Sequence, residues 1–365
     1  MRAIALVGGA GTRLRPLTVV TPKPLLPIAL QSLLERQLDW LARYGVDDVV
    51  LSMGYLPEVF AARFPEGPYR LPGGGSVRLR YAVEPEPLGT AGAVRFAAAA
   101  GDITERFVVC NGDVLTGLDL GALVAAHEAR GARGTLHLTR VEDPSAFGVV
   151  PTRADGEVEA FVEKPAPGTA ASNWINAGTY VLEPSVLDAI PEGVAVSIER
   201  ETFPSLLEPG GQLYALGTGD YWIDVGTPDA YRRAHADLLA GRLGVPPVPG
   251  ATERGSGVWT LDEVELASDA TVVGPSLLGA GASIARGARV VGSTVGANVE
   301  VGPDAVLDGA VLGDGVRVEA GARVQASVVG PGSCIGAGAI VEADSVIGPG
   351  ATVDAGAVVT GGRVP

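Results

Sequence analysis

Between Gly8 and Thr18 the chain reads Gly-Gly-Ala-Gly-Thr-Arg-Leu-Arg-Pro-Leu-Thr, and Pro22-Lys23-Pro24 follows shortly after. Glycines let backbone N–H groups come close to phosphate oxygens, and Arg13 and Lys23 add the positive charge that a triphosphate needs. Two common glycine-loop chemistries are excluded, because a P-loop requires Gly-Lys-Ser/Thr and a dinucleotide fingerprint requires glycine where Leu14 stands. Two acidic residues are candidates of a different kind. Asp113 follows an Asn-Gly turn at the end of the predicted strand Phe107–Cys110, where open α/β sheets present ligand-binding groups. Asp224 stands just before a helix start. Carboxylates brought together repel unless a cation separates them, and Mg²⁺ commonly takes one or two carboxylates with phosphate oxygens.

These residues need elements to hold them. Apolar runs at Ala3–Val7, Val49–Ser52 and Phe107–Cys110 read as buried strands, and Leu34, Leu38 and Leu41 fall on one helical face behind Ser32, a potential cap. Strand, loop, helix and strand in that order make a βαβ unit, so residues 1–240 are expected to form a Rossmann-like α/β domain with a mostly parallel sheet. Its last helix is bounded by Thr227 as cap, Pro228 and Asp229 in the first turn and Gly241 beyond the last. The Pro- and Gly-rich stretch 241–257 reads as a linker.

Beyond the linker, aliphatic residues recur at 278, 284, 290, 295, 301, 307, 312, 318, 324, 329, 335, 341, 347, 353 and 359, with successive spacings of 6, 6 and 5 three times over, then 6 throughout. One aliphatic side chain per face of a three-sided coil gives that period, with Gly, Ala, Ser and Pro at corners where the backbone turns sharply. The pattern resembles the hexapeptide repeat of left-handed parallel β-helices, so a β-helix domain is expected over 258–365.

Composition narrows the partners. A net charge of −15 argues against nucleic acid or an anionic membrane as the main partner, while leaving room for a small anion wherever cations gather. No apolar run approaches the ~20 residues of a membrane helix, and Ala3–Val7 is too short for a signal segment. Cys110 and Cys334 are the two cysteines and are expected to be inert buried thiols, which suits a reducing, cytoplasmic location.

The first loop and Pro22-Lys23-Pro24 resemble the signature of the sugar-1-phosphate nucleotidyltransferases. The likeness continues in order through Glu84–Gly92, Asn111-Gly-Asp113, Phe147–Val150, Phe161–Pro165, Ile175–Gly178 and Tyr221–Thr227. It is greatest to those members that join GTP to mannose 1-phosphate. The resemblance implies that Gly8, Gly9, Gly11, Thr12, Glu84, Gly89 and Gly112 bind the nucleotide, that Arg13 and Lys23 act on the triphosphate and departing pyrophosphate, and that Asp113 and Asp224 hold Mg²⁺. Lys164 would meet the attacking sugar phosphate, with Gly148, Glu163 and Asn176 around the sugar.

In the family the position of Glu84 contacts the base edge. A carboxylate offers acceptors only, which suits the N1–H and N2–H₂ donors of guanine and faces the carbonyls of uracil or thymine unfavourably. The alternatives are a glucose-1-phosphate thymidylyl- or uridylyltransferase and a regulatory subunit without turnover. Against the second, Arg13, Lys23, Asp113, Lys164 and Asp224 are all present. Acyl transfer by the β-helix is rejected, since His127, His137 and His235 all precede it and such sites depend on a histidine base. The β-helix is instead expected to offer a stiff surface for self-association into a homo-oligomer or for packing on the catalytic domain.

Overall fold

The computed structural model describes residues 1–207 and 212–365. Two compact units are distinguished, one made of Met1–Gly9 with Leu33–Trp222, the other of Ala10–Ser32 with Ile223–Pro365.

The first unit is built on one mixed sheet. Seven of its ten strands among the described residues are β1 (Arg2–Leu6), β2 (Asp48–Met53), β3 (Ser76–Val83), β4 (Phe107–Asn111), β5 (Gly134–Arg140), β6 (Trp174–Leu182) and β7 (Leu213–Gly217). The order across the sheet is β3-β2-β1-β4-β6-β5-β7. The three expected strands are β1, β2 and β4, and together with β3 they form a parallel core. In β1, Ala3, Ile4 and Ala5 are wholly buried, as a strand covered on both faces requires. Antiparallel pairing enters through β6, which runs against β4 and β5.

Helix α1 (Leu33–Arg43) follows Ser32 directly and buries Leu34, Leu38 and Leu41. Helices α2 (Gly89–Ala100) and α3 (Leu120–Arg130) complete the connections used here, and Asp119 caps α3 by accepting from the Ala122 N–H.

In the second unit the periodic segment forms three flat parallel sheets with strands two or three residues long. All fifteen repeat positions lie on these strands, and the register stacks Leu278 on Val295, Leu312, Val329 and Ile347 along one face. Fourteen are buried, and Val359 in the last coil is half-buried. Each buried aliphatic contributes about 1.5–3 kcal/mol, so the column is held mainly by its apolar interior.

The corners require left-handed backbone. Gly281 and Gly287 supply it in one coil, and Asn298 and Asp304 (φ 54° and 57°) supply it in the next, since Asn and Asp tolerate that region best after glycine. One coil more is present than the repeat pattern showed, formed by Val258–Thr260, Glu265–Leu266 and Thr271–Val273. It escaped the pattern because the position stacked on Leu278 is the polar Thr260, while Leu266, stacked on Ile284, is about half exposed in this first coil.

Helix α4 (Pro228–Leu239) has the expected boundaries: the Thr227 hydroxyl accepts from the Ala230 N–H, and Gly241 follows at φ 74°. The helix joins the parts of its unit. The Tyr231 hydroxyl donates to the Pro27 carbonyl, and His235 Nδ1 accepts from the Ala29 N–H at 3.1 Å and lies 3.1 Å from Thr294 Oγ1 in the β-helix. A histidine therefore does touch the β-helix, but it is buried and its Nδ1 is occupied. Cys110 is buried, which pushes its thiol up to about 12, whereas Cys334 is only partly buried, so the expectation of two buried thiols holds for one. Cys334 lies on a β-helix strand, where side chains alternate between inward and outward, and the inward position beside it belongs to Ile335.

His137 lies wholly inside β5, with Nε2 2.9 Å from Thr218 Oγ1 and with no partner for Nδ1 among the described residues. Burial holds its pKa down to about 4, against a weaker opposing effect of Asp220. The unfolded chain binds that proton more readily, so the stability His137 contributes is present above about pH 6.5 and is lost as pH falls through about 4. NMR of the imidazole signals should show His137 titrating near the lower value, and an ordinary midpoint would refute the assignment.

Candidate active site

In the first unit, the residues expected at the nucleotide and sugar cluster at the carboxyl ends of the parallel strands. Gly8 and Gly9 follow β1. A methyl group on Gly8 would lie 3.0 Å from the Gly54 nitrogen, so a side chain there would press on the neighbouring backbone. It would also lie 3.6 Å from Glu84 Oε1. Glu84 stands just past β3, tied by its N–H to the Met53 carbonyl at 2.9 Å. Its carboxylate is held at both oxygens, by the Ser52 hydroxyl on Oε1 at 3.2 Å and by the Leu88 N–H on Oε2 at 2.9 Å. Glu84 is thus a fixed acceptor rather than a loose loop charge.

Gly89 opens α2 at φ 68°, and a methyl group there would fall 2.5 Å from the Val196 carbonyl oxygen. Gly112 is equally constrained: its N–H donates to the Leu6 carbonyl at 2.9 Å, and an added methyl would meet that oxygen at 2.7 Å. Asp113, half-buried, follows at the end of β4. The turn that carries it is braced from below by Gln37 of α1, whose side-chain amide donates to the Asn111 carbonyl at 2.7 Å and the Val114 carbonyl at 2.8 Å. Gln37 was not singled out from the sequence, although a buried polar residue beside the Leu34–Leu38–Leu41 stripe is the available signal. The same holds for Ser52, hidden at the end of an otherwise apolar strand.

The expected sugar-phosphate residues are brought together by strand pairing. Gly148 opposes Glu163, Val149 opposes Ile175, and a methyl on Gly148 would approach Glu163 Oε2 to 2.9 Å. Lys164 is at φ 49°, its N–H donates to the Phe147 carbonyl at 3.0 Å, and its largely exposed ammonium lies 3.7 Å from Glu163 Oε1. Asn176 sits where β6 is irregular: Oδ1 accepts from the Gly178 N–H at 3.0 Å and Nδ2 donates to the Tyr180 hydroxyl at 2.7 Å. Both ends of this amide are used within the fold. Burial, reinforced by the negative charge of Glu199, Glu163 and Asp113, keeps the Tyr180 hydroxyl protonated far above its ordinary range. Trp222 closes this side, its indole N–H donating to the Ala177 carbonyl at 2.9 Å and its ring standing edge-on to Phe147.

The second unit carries the cations. Gly11, at φ 57°, precedes a tight turn at Thr12–Leu14, and a methyl on Gly11 would lie 3.0 Å from Lys23 Cβ. The Thr18 hydroxyl returns to the Gly11 carbonyl at 2.8 Å and closes the loop. Lys23 is buried with Nζ 3.2 Å from Asp224 Oδ1, whereas Arg13 is largely exposed with Nη2 3.9 Å from Asp224 Oδ2. Gly226 makes room for this cluster, since a methyl there would lie 2.6 Å from Arg13 Nη2. Two cations thus gather at one carboxylate, a local concentration of positive charge that suits an anionic ligand.

Among the described residues, no helix is long and apolar enough to cross a membrane, and no group of three or more His, Cys, Asp or Glu side chains is placed to hold a metal. Asp113 in the first unit and Asp224 in the second each present carboxylate oxygens, the donor type that a hard cation takes.

A nucleotidyl transferase family model matches residues 2–241, and the model of the EIF2B subunit epsilon LbH domain matches residues 256–359. A mannose-1-phosphate guanylyltransferase of Mycobacterium tuberculosis is 41% identical over 82% of this chain and 81% of its own length. A mannose-1-phosphate guanyltransferase of Schizosaccharomyces pombe is 43% identical over 63% of this chain and 62% of its own. Among solved structures, HddC from Yersinia pseudotuberculosis complexed with GMP-PN is 27% identical, with a TM-score of 0.53 over 64% of this chain and 97% of that one.

Replacing Gln37 with Leu would strand the two carbonyls that flank Asp113. The expected cost is about 1–3 kcal/mol, read as a lowered urea midpoint, and an unchanged midpoint would show that the brace is dispensable.

Proposed function

The chain belongs to the nucleotidyl transferase family, and on that premise we propose that it transfers a nucleoside monophosphate from GTP to mannose 1-phosphate, giving GDP-mannose and pyrophosphate. The observation that carries this reading is a glycine turn that delivers Arg13 and buried Lys23 to Asp224, in a chain otherwise strongly acidic.

The reaction needs no protein nucleophile. A phosphate oxygen of mannose 1-phosphate attacks the α-phosphorus of GTP, a new P–O bond forms, and the bond to the bridging oxygen breaks with its electron pair leaving on pyrophosphate. Positioning and charge neutralisation then carry the catalysis. Backbone N–H groups at Gly8, Gly9, Gly11, Thr12, Gly89 and Gly112 would line the nucleotide. Arg13 and Lys23 would neutralise the leaving pyrophosphate, and Lys164 would orient the attacking phosphate. Glu163 suits the sugar hydroxyls, as does Gly148 by its lack of a side chain. Asn176, whose amide keeps an N–H and a lone pair beyond its two bonds within the fold, would hold sugar hydroxyls. Asp113 and Asp224 would hold Mg²⁺, which when bound withdraws charge from the phosphate oxygens.

Guanine selection rests on Glu84. With both oxygens fixed by Ser52 and Leu88, the carboxylate keeps lone pairs for the two adjacent donors of guanine without first being ordered.

The residues matched by the two family models support a division into a catalytic domain 1–240, a linker 241–257 and a β-helix domain 258–365. The substrates, together with the lack of a membrane-crossing helix among the described residues, support a cytoplasmic site of action. Exposed Leu266, Val273 and Val358 support self-association into a homo-oligomer, and a monomer in light scattering would remove that part of the reading.

Turnover with a panel of nucleoside triphosphates and sugar 1-phosphates tests the whole. GTP with mannose 1-phosphate should be preferred, Glu84→Gln should reduce the preference for guanine by about tenfold or more, and Asp113→Ala or Asp224→Ala should abolish turnover in a folded protein. A preference for UTP or dTTP would defeat the guanine argument, and near-normal rates in the aspartate variants would defeat the metal assignment.

A further inference from the structure

The loop that bears Arg13 is also gripped at a point the reaction does not use. Its tight turn ends at Arg15, whose N–H closes back on the Thr12 carbonyl at 3.2 Å. The Arg15 carbonyl is left to another partner, and it accepts from Arg363 Nη1 at 2.5 Å, across 348 residues of sequence. The next residue, Pro16, lies over Gly348, where an added methyl would come within 3.0 Å of Pro16 Cγ. Gly348 and Arg363 are close neighbours in one part of the column, because Ile347 pairs with Val364 and the Gly348 N–H donates to the Val364 carbonyl at 2.6 Å. The last coil of the β-helix thus presents a guanidinium and a bare backbone to two consecutive residues of the loop.

We propose that Arg363 is a positioning residue for the triphosphate loop, acting with the Gly348 platform to hold the Thr12–Arg15 turn, and with it Arg13, in the conformation that meets the phosphates.

The physical basis is preorganisation. At one end the loop is closed by Thr18 on Gly11 and by the packing of Lys23 against Gly11. Arg13 itself is largely exposed and lies 3.9 Å from Asp224, so its own contacts order it weakly. A charge-assisted hydrogen bond to the carbonyl two residues later, with a rigid proline seated beside it, fixes the backbone from which the Arg13 side chain extends. Without that hold, ordering the loop would be charged against triphosphate binding and not against sugar phosphate binding.

The inference rests on the reading of Arg13 as a triphosphate ligand, and the experiment separates the two. Steady-state kinetics on the full chain would compare wild type with Arg363→Ala, Arg363→Lys and Gly348→Ala, using the preferred triphosphate, with thermal denaturation measured in parallel. In Arg363→Ala the KM for the triphosphate should rise about fivefold, the loss of one net hydrogen bond, while the KM for the sugar phosphate and the melting temperature stay unchanged. Arg363→Lys should recover part of the loss, and Gly348→Ala, whose methyl would press on Pro16 Cγ and on the Val364–Pro365 backbone, should shift the same constant in the same direction. Equal rises in both KM values, or a triphosphate KM unchanged in Arg363→Ala and Gly348→Ala alike, would overturn the proposal while leaving the parent reading intact. A wild-type protein that turned over no triphosphate would sink the parent reading and this inference with it.

Discussion

Positive charge is scarce in this protein and is concentrated where it is needed. Against a net charge of −15, Arg13 and Lys23 converge on one carboxylate, and Lys23 does so from a buried position. A buried ammonium is tolerated only when paired, so Asp224 is as much a condition for keeping Lys23 inside as a candidate ligand for a metal. Binding of a triphosphate would take place against cations already gathered, and the lack of side chains at Gly11 and Gly226 is what lets them gather.

The same economy governs the first unit. At Gly112 an added methyl would fall 2.7 Å from the Leu6 carbonyl oxygen and at Gly89 2.5 Å from that of Val196, so the backbone at both places is pressed against its neighbours. Side chains that matter are then fixed by unremarkable partners: Glu84 by Ser52 and a backbone N–H, the Asp113 turn by Gln37, and the irregularity in β6 by the two-ended amide of Asn176. Each of these partners removes a freedom that binding would otherwise have to remove.

The β-helix follows a different logic. Its apolar interior is one column of aliphatic residues, and its corners accept Gly, Asn, Asp and even Ala326 at φ 38°, since each corner is over-determined by the coils above and below. A column so regular is stiff, and stiffness is the property that suits it to hold the Arg15–Pro16 segment through Arg363 and Gly348.

Much of this was legible in the amino-acid order. A three-sided coil follows from spacings of 6, 6 and 5, because inward side chains must repeat once per face, and the phosphate chemistry follows from glycines beside Arg13 and Lys23. The resemblance to a family supplied the remaining candidate site residues. What the sequence could not contain is which distant residue serves another. The Arg363 bond to the Arg15 carbonyl, the grip of Ser52 on Glu84 and the bracing of Asp113 by Gln37 join residues through backbone carbonyls or through commonplace hydroxyl and amide side chains. Such groups occur in every segment, carry no periodic signal, and acquire a role only when folding decides which of them is left facing an unsatisfied partner.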